Sequence, residues 1–343
     1  MIYISRMSIC YNIYEKSDIM PSIITHHMFS KELLNNLSKE ELSKIDNKLD
    51  IYHTFAQSHD YLFYYKFGKN RKAINKLGHK AHHSNTQEYL INIIKEIKNN
   101  HEENNSELIA YLYGSITHYV LDTTCHPFIF YKTGYYRKKE KETRKYFGGH
   151  NQIEKDLDAI YYKKYTNKEY NLCNVSKEII GKPKLSNELI NTINKVYKET
   201  YNKDNIGIYY QKGVDNARLI YNIVINDRLG IKKSFYKLLD LIINKNKRYI
   251  STYSTYIKKP NLDYLNIKHK EWNNPSNPDI KSTKSFEDLF NESINKSIKI
   301  IKEVNKVLYE NKPIKELLKY IPNLDYSTGL PIEESKQLRH FEY

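Results

Sequence analysis

Glycine and proline are scarce in this chain, 11 and 9 among 343 residues. So few helix breakers and turn formers weigh against a strand-and-turn architecture and favour an all-α protein. Cysteine is scarcer still: Cys10, Cys125 and Cys173 are an odd, sparse set that builds no disulfide framework and suits a reducing compartment. Long apolar runs are missing. The longest uncharged stretch near the centre, residues 108–121, contains His118 and falls short of the roughly 20 residues a membrane span needs. The first twenty residues, MIYISRMSICYNIYEKSDIM, hold neither an extended apolar core nor a small-residue cleavage site. The expected location is therefore cytoplasmic, with secretion left open and no transmembrane segment.

Positive charge, by contrast, is plentiful. Lys and Arg total 55 against 40 Asp and Glu, a formal net charge of +15. Such a balance favours anionic partners, although lysine-rich helices carry the same excess simply by being hydrated. No nucleic-acid-binding motif accompanies it. The 33 tyrosines go with a Lys/Asn/Ile/Tyr bias that an AT-rich coding sequence would produce, and they carry no functional reading.

Helical periodicity recurs along most of the chain. It predicts helices over residues 30–45 with Ser30 as cap, 86–98, 106–125 with Pro127 as stop, 150–164, 185–201, 213–226, 234–243 and 285–310. The last opens on Ser285 and Asp288, spaced as a capping box with Asp in place of the usual Glu or Gln. Residues 131–149, with the basic run RKKEKETRK, read as an exposed loop, and residues 259–284 around Trp272 as a long connection or lid.

Eleven of the 13 histidines fall between His26 and His150, little more than a third of the chain. His118, Asp122 and His126 are each four residues apart in an otherwise uncharged helix, which stacks them on one face. Burying three ionisable groups together costs several kcal/mol unless a partner is supplied, and a metal ion is such a partner. His150 and Glu154 repeat the spacing. Imidazole and carboxylate are zinc ligands, four to an ion as a rule, so seven or eight candidates suggest two or three ions. A carboxylate such as Asp122 is able to bridge two of them, and polynuclear sites clamp the attacking and leaving oxygens of a phosphoester. His27, His53, His79 and His101 are set aside as isolated residues.

These segments, taken in order, resemble the zinc-dependent phospholipase C family of all-helical metallohydrolases. The resemblance is carried by MPSIITHHMFSKELL from Met20, AQSHDYLFYY, KLGHKAHHSNTQEYL, AYLYGSITHYVLDTTCHPF and GGHNQIE. It continues more weakly through the Trp272 loop, SFEDLF and the closing YSTGLP. It implies a multi-helix bundle, like that of the zinc nucleases, with the metal site between helices. His118, Asp122, Asp60 and His82 (His79 and His83 being the alternatives) would hold one zinc, and His126, His150 and Glu154 a second. His26 with the bridging Asp122 would hold a third. Asp60 would also act in catalysis by orienting the attacking water, with Tyr61 facing the substrate.

Two departures from the family's secreted members bear on the ion count. Those place five residues between the Asp and the next His, where Asp122 and His126 have three between them. They also use a processed amino-terminal tryptophan as a ligand, and no tryptophan lies near this terminus. A start at Met20 would leave Pro21 as a free terminus near His26; a start at Met1 leaves the third site incomplete. The expectation is thus two zinc ions, with a third conditional on the terminus.

The expected organisation is an N-terminal extension over 1–19, a helical zinc-binding catalytic domain over 20–168 and a C-terminal helical region over 169–343. The expected activity is hydrolysis of glycerophospholipids to diacylglycerol and a phosphorylated headgroup, with peripheral contact to an anionic membrane. The alternatives are a single-strand-specific zinc nuclease, for which nucleic acid would be the substrate, and an inactive zinc-binding relative. A reading of His59-Asp60 as the doublet of a helical nucleotide phosphohydrolase ranks lower, since it leaves His150 and Glu154 without a role.

Overall fold

The computed structural model describes residues 23–243 and 250–342. The proposed 1–19 extension, Cys10 and Pro21 lie outside the described residues. Within them the chain forms thirteen α-helices and one short two-stranded ribbon, the all-α architecture expected from its paucity of breakers.

The helices that build the site are α1 (Ile23–Asn36), α3 (Leu49–Phe55), α4 (Tyr61–Tyr64), α5 (Arg71–His83), α6 (Thr86–Asn99), α7 (Ser106–Thr133) and α8 (Gly149–Thr166). Short α2 (Lys39–Ser43) follows α1, and α9 (Val175–Glu178) follows α8. Then come α10 (Asn187–Tyr201), α11 (Ile206–Ile220), α12 (Ile231–Ile243) and α13 (Phe286–Tyr309).

The 28-residue α7 is the axis of the molecule. Nearly every side chain along it is buried, as expected of a helix apolar on all faces. Against it pack α3 and α13, with α1, α6 and α8 completing the surround. At Gly114 the α3 backbone comes so close that a Cβ would stand 2.6 Å from the Tyr52 carbonyl oxygen; only glycine permits that crossing. Helix α1 is fixed to α8 by Asp158, whose carboxylate accepts from the Thr25 amide at 2.8 Å and the Thr25 hydroxyl at 2.9 Å. Helices α10, α11 and α13 contribute to the same hydrophobic core as α1–α8.

Pro127 does not stop α7, which runs on to Thr133. Proline deletes the N–H that would have met the Thr123 carbonyl, a cost an isolated helix would not bear. Here the second half of the helix is held from outside. Phe128 packs edge-on to Trp272 at 5.4 Å and Tyr131 lies against the same ring, and the Glu342 amide bonds to the Tyr131 carbonyl at 2.9 Å. Gly329, at φ +63°, abuts the turn that the proline leaves unbonded: a Cβ there would run into the Thr123 carbonyl oxygen and stand 3.2 Å from Pro127 Cγ.

Ser30 does not cap a helix either. It lies inside α1, its hydroxyl donating to the His27 carbonyl at 2.8 Å and meeting His53 Nδ1 at 2.7 Å. The cap is Ser38, which forms a full capping box with Glu41 at the start of α2. Ser285 and Asp288 make the expected box at α13.

Nor is the Trp272 segment a lid. Trp272 and Asn273 pair antiparallel with Ser282 and Lys281. The indole is buried on α7, its N–H donating to the Lys284 carbonyl at 2.9 Å. The tyrosines also have a structural role: they are the largest fully buried side chains. Tyr89, for example, reaches the Tyr111 hydroxyl at 3.0 Å, satisfying a polar tip inside an aromatic core. Among the described residues no helix is long and apolar enough to cross a membrane. Cys125 and Cys173 are buried free thiols.

Candidate metal centre

Five segments converge on one buried cluster. Helix α1 brings His26, and Asp60 ends a one-turn 3₁₀ helix, Ser58–Asp60. Helix α5 brings His82, α7 brings His118, Asp122 and His126 from successive turns, and α8 brings His150 and Glu154. The Asp60 turn is forced: Ser58 sits at φ +29°, a rare conformation for a residue with a side chain.

Asp122 is the hub. Its Oδ1 lies 3.2 Å from His26 Nε2 and 3.7 Å from His126 Nε2, while Oδ2 lies 3.4 Å from His118 Nε2. Asp60 Oδ1 meets His82 Nε2 at 3.1 Å. Glu154 Oε1 meets His150 Nε2 at 3.0 Å and His126 Nε2 at 3.9 Å. The three-residue gap between Asp122 and His126 therefore keeps His126 between Asp122 and Glu154, one turn along α7.

These groups sort into three sets with the spacing a metal ion needs: His26, His118 and Asp122; Asp60, His82 and His118; His126, His150 and Glu154. In each set one donor atom per residue lies within 4.8 Å of the others. The ring orientation is set from behind. His26 Nδ1 faces the Ala56 carbonyl at 3.1 Å and His82 Nδ1 the Gly78 carbonyl at 2.7 Å, so each turns Nε2 inward.

Burial alone would make this arrangement costly. Both nitrogens of His118, Oδ2 of Asp122, Nδ1 of His126 and of His150, and Oε2 of Glu154 are buried without a hydrogen-bond partner among the described residues. Orphaned lone pairs on one cluster of imidazoles and carboxylates are what a bound cation would satisfy. Five imidazoles and three carboxylates suit zinc, and the residues fit the metal.

Burial and the charges within the cluster set its electrostatics. Burial drives the His118 imidazole well below its ordinary value despite Asp122 beside it. Burial also opposes the charge of Asp122, but His126, His118 and His26 outweigh it and hold the carboxylate ionised well below the usual range. His26 is raised to about 9: burial works against its charge, and Asp122 overcomes it. Asp60 is pushed up to about 6, chiefly by burial, with His82 pulling the other way.

A narrow cleft of about 50 Å³ opens over the cluster, lined in part by His26, Asp60, His82, His126, His150 and Glu154. Phe63 and Phe130 are its aromatic walls. Tyr61 does not face it: at 2 % exposure it packs in the core against Tyr64. His59 is fully buried, with Nδ1 2.6 Å from the Tyr197 hydroxyl, and belongs to none of the three sets, which removes the basis of the nucleotide phosphohydrolase reading. His79 lines the cleft against Phe63, while His83 pairs with Asp325 at 2.7 Å.

Sequence reasoning assigned no chemistry to the 325–329 turn, which closes one side of the cluster. Asp325 Oδ1 accepts from the Ser327 and Thr328 amides at 2.9 and 3.0 Å. The Tyr326 amide reaches the His82 carbonyl at 3.0 Å, its ring packs on His82 and His118, and Ser327 reaches the cleft. An Asp before Ser-Thr-Gly is a legible turn signal, but its docking partner lies more than two hundred residues away.

The fold is thus an all-helical bundle around a buried cluster of histidines and carboxylates. The family model for zinc dependent phospholipase C matches residues 25–207, and the chain belongs to that family of phospholipase C-type hydrolases. No curated protein and no solved structure matches it.

Proposed function

We propose that the protein hydrolyses the bond between phosphate and glycerol in a glycerophospholipid, releasing diacylglycerol and a phosphorylated headgroup. The observation that carries this reading is the convergence of eight donors on Asp122 and its neighbours, with buried lone pairs left unmet. In this reading His118, Asp122, Asp60 and His82 hold one zinc, and His126, His150 and Glu154 a second. His26 faces Asp122 and completes a third set. Zinc held there supplies Lewis acidity, making water a better nucleophile near neutral pH and neutralising the phosphate in the transition state.

The remaining work falls to the chain itself. Asp60 lies at the cleft beside His82; its second carboxylate oxygen orients the attacking water and accepts its proton. The water oxygen bonds to phosphorus, the phosphorus–glycerol oxygen bond breaks, and the departing oxygen takes a proton from a solvent water, whose hydroxide is neutralised by the proton that Asp60 gives up. His26, His82 and Asp122 stay in place because backbone carbonyls and α7 packing hold their rings and carboxylate. Phe63 and Phe130 keep bulk water from the flanks of the cleft.

Metal analysis of the purified protein, combined with release assays on phosphatidylcholine vesicles and single-stranded DNA, tests the proposal. Bound zinc with headgroup release is the expected result. Cleavage of DNA alone would identify a nuclease, and full zinc occupancy with neither substrate cleaved would identify an inactive relative; both outcomes refute the phospholipase reading.

A further inference from the structure

Helix α12 breaks the pattern of the fold. Its residues Ile231, Phe235, Leu238, Leu241 and Ile242 are 47–69 % exposed, and Leu229 just before it is 73 % exposed. Their spacing places an apolar stripe along the solvent side of an amphipathic helix. Water does not favour such a contiguous face, and patches of this kind mark interaction surfaces.

The charge around the stripe says what covers it. From residue 227 to 242 there are two acids, Asp227 and Asp240, each only 4 % exposed. Asp227 accepts from the Ser254 hydroxyl and the Lys233 amide, and Asp240 from the Ile250 and Ser251 amides. Arg228 and Lys237 are exposed. The outward surface is therefore apolar and basic, with no exposed acid in that stretch.

Next to it lies a groove of about 790 Å³ lined by Lys163, Lys164, Lys258 and Lys259. Asn171 joins the two regions: it lines the groove and donates to the Arg228 carbonyl at 2.9 Å. Lys163 and Lys164 pair with Glu169 and Glu287. Lys258 and Lys259 are exposed and carry no ion pair among the described residues. An apolar stripe beside cationic side chains matches the layering of a bilayer interface, acyl chains below and phosphates above.

We propose that α12 is a membrane-docking helix that lays its apolar face on an anionic phospholipid surface, with Lys258 and Lys259 meeting the phosphates. The helix is also linked by hydrogen bonds to the segment that carries His150. Asp240 holds the Ile250–Tyr253 turn, and Asn151, next to His150, donates to the Thr252 hydroxyl of that turn. Docking would thus brace α8 from the bilayer side. This proposal does not rest on turnover, because binding is read without it.

The test is co-sedimentation of the full chain on ice with vesicles of phosphatidylcholine alone or with about one-third phosphatidylserine. The wild type should favour the anionic vesicles and lose that preference in high salt. Leu238→Asp with Leu241→Asp should weaken binding about tenfold or more, and Lys258→Glu with Lys259→Glu should abolish the preference for phosphatidylserine. Both double variants alter exposed residues, and an unchanged circular-dichroism melt confirms their fold. Equal binding by wild type and the α12 variant overturns the proposal. So does a wild-type dimer in light scattering that the variant dissociates while vesicle binding stays absent, since the stripe would then be covered by a second copy.

Discussion

His26 and Asp122, on different helices and 96 positions apart in the chain, face each other at 3.2 Å with the ring's other nitrogen directed at the Ala56 carbonyl. The imidazole is thereby fixed in the orientation that points Nε2 into the cluster. Among the described residues, Asp122 in turn is the one carboxylate ion-paired with histidines from both α1 and α7.

Replacing Asp122 with Asn keeps the shape and removes the charge on which three imidazoles converge. Zinc content measured on the purified variant should fall by at least one ion per chain, and hydrolysis should drop by at least about 100-fold. Retained turnover would remove Asp122 from the centre.

Metal should also register in stability. A ligand that binds the folded chain alone at about 100 times its Kd adds roughly 2.7 kcal/mol. Chelation should therefore lower Tm, and zinc should restore it by a larger increment in the wild type than in His118→Ala. Identical melts with and without zinc would count against a metal centre.

Gly329 and Gly181 give a paired test of steric fit. Both have positive φ, +63° and +65°, but a Cβ at Gly181 meets nothing within 4 Å while one at Gly329 runs into the Thr123 carbonyl. Gly181→Ala should cost about 1 kcal/mol in denaturant unfolding from backbone strain alone. Gly329→Ala should cost distinctly more, because the turn must also leave α7. Equal losses would show that the turn yields freely.

Asp325 predicts an acid-sensitive contact. Burial works against its ionised form, but His83 and the Ser327 and Thr328 amides outweigh it and hold the carboxyl below its ordinary value. A depressed folded value means stabilisation that is fully present above the unfolded value of about 3.9 and lost as pH falls through the folded one. Asp325→Asn should be less stable than wild type at pH 7, and the gap should close below about pH 4. A gap independent of pH would assign the effect to shape alone.

The fold class was legible because breakers are rare and the apolar period is helical nearly throughout. Five of the eight candidate ligands were legible from local geometry alone, His118, Asp122 and His126 on one helix face and His150 and Glu154 on another. His26, Asp60 and His82 were legible only through the family resemblance, because their approach to Asp122 depends on how separate helices pack. What could not be read depended on distant chain. Pro127 is a stop signal by every local rule, and only the docking of Trp272, Gly329 and the tail carries α7 past it. Ser30 has the side chain of a cap, yet its hydroxyl is spent on His27 and His53. The tyrosines are equally able to face water or core, and their burial follows from packing between α6, α7, α10 and α11. The 325–329 turn announces itself as a turn but not as a wall of the cleft, since its contact with His82 and His83 joins opposite ends of the sequence.

The dispersal of the cluster over five segments has a consequence for biogenesis. No fragment of the chain holds more than three of the eight donors on one helix, and α7 alone leaves Asp122 without His26, Asp60 or Glu154. The cluster therefore comes into being late, after α1, α5, α7 and α8 have docked. A chain in which any one of these helices is misplaced should then be distinguishable from a finished one by a lower zinc content.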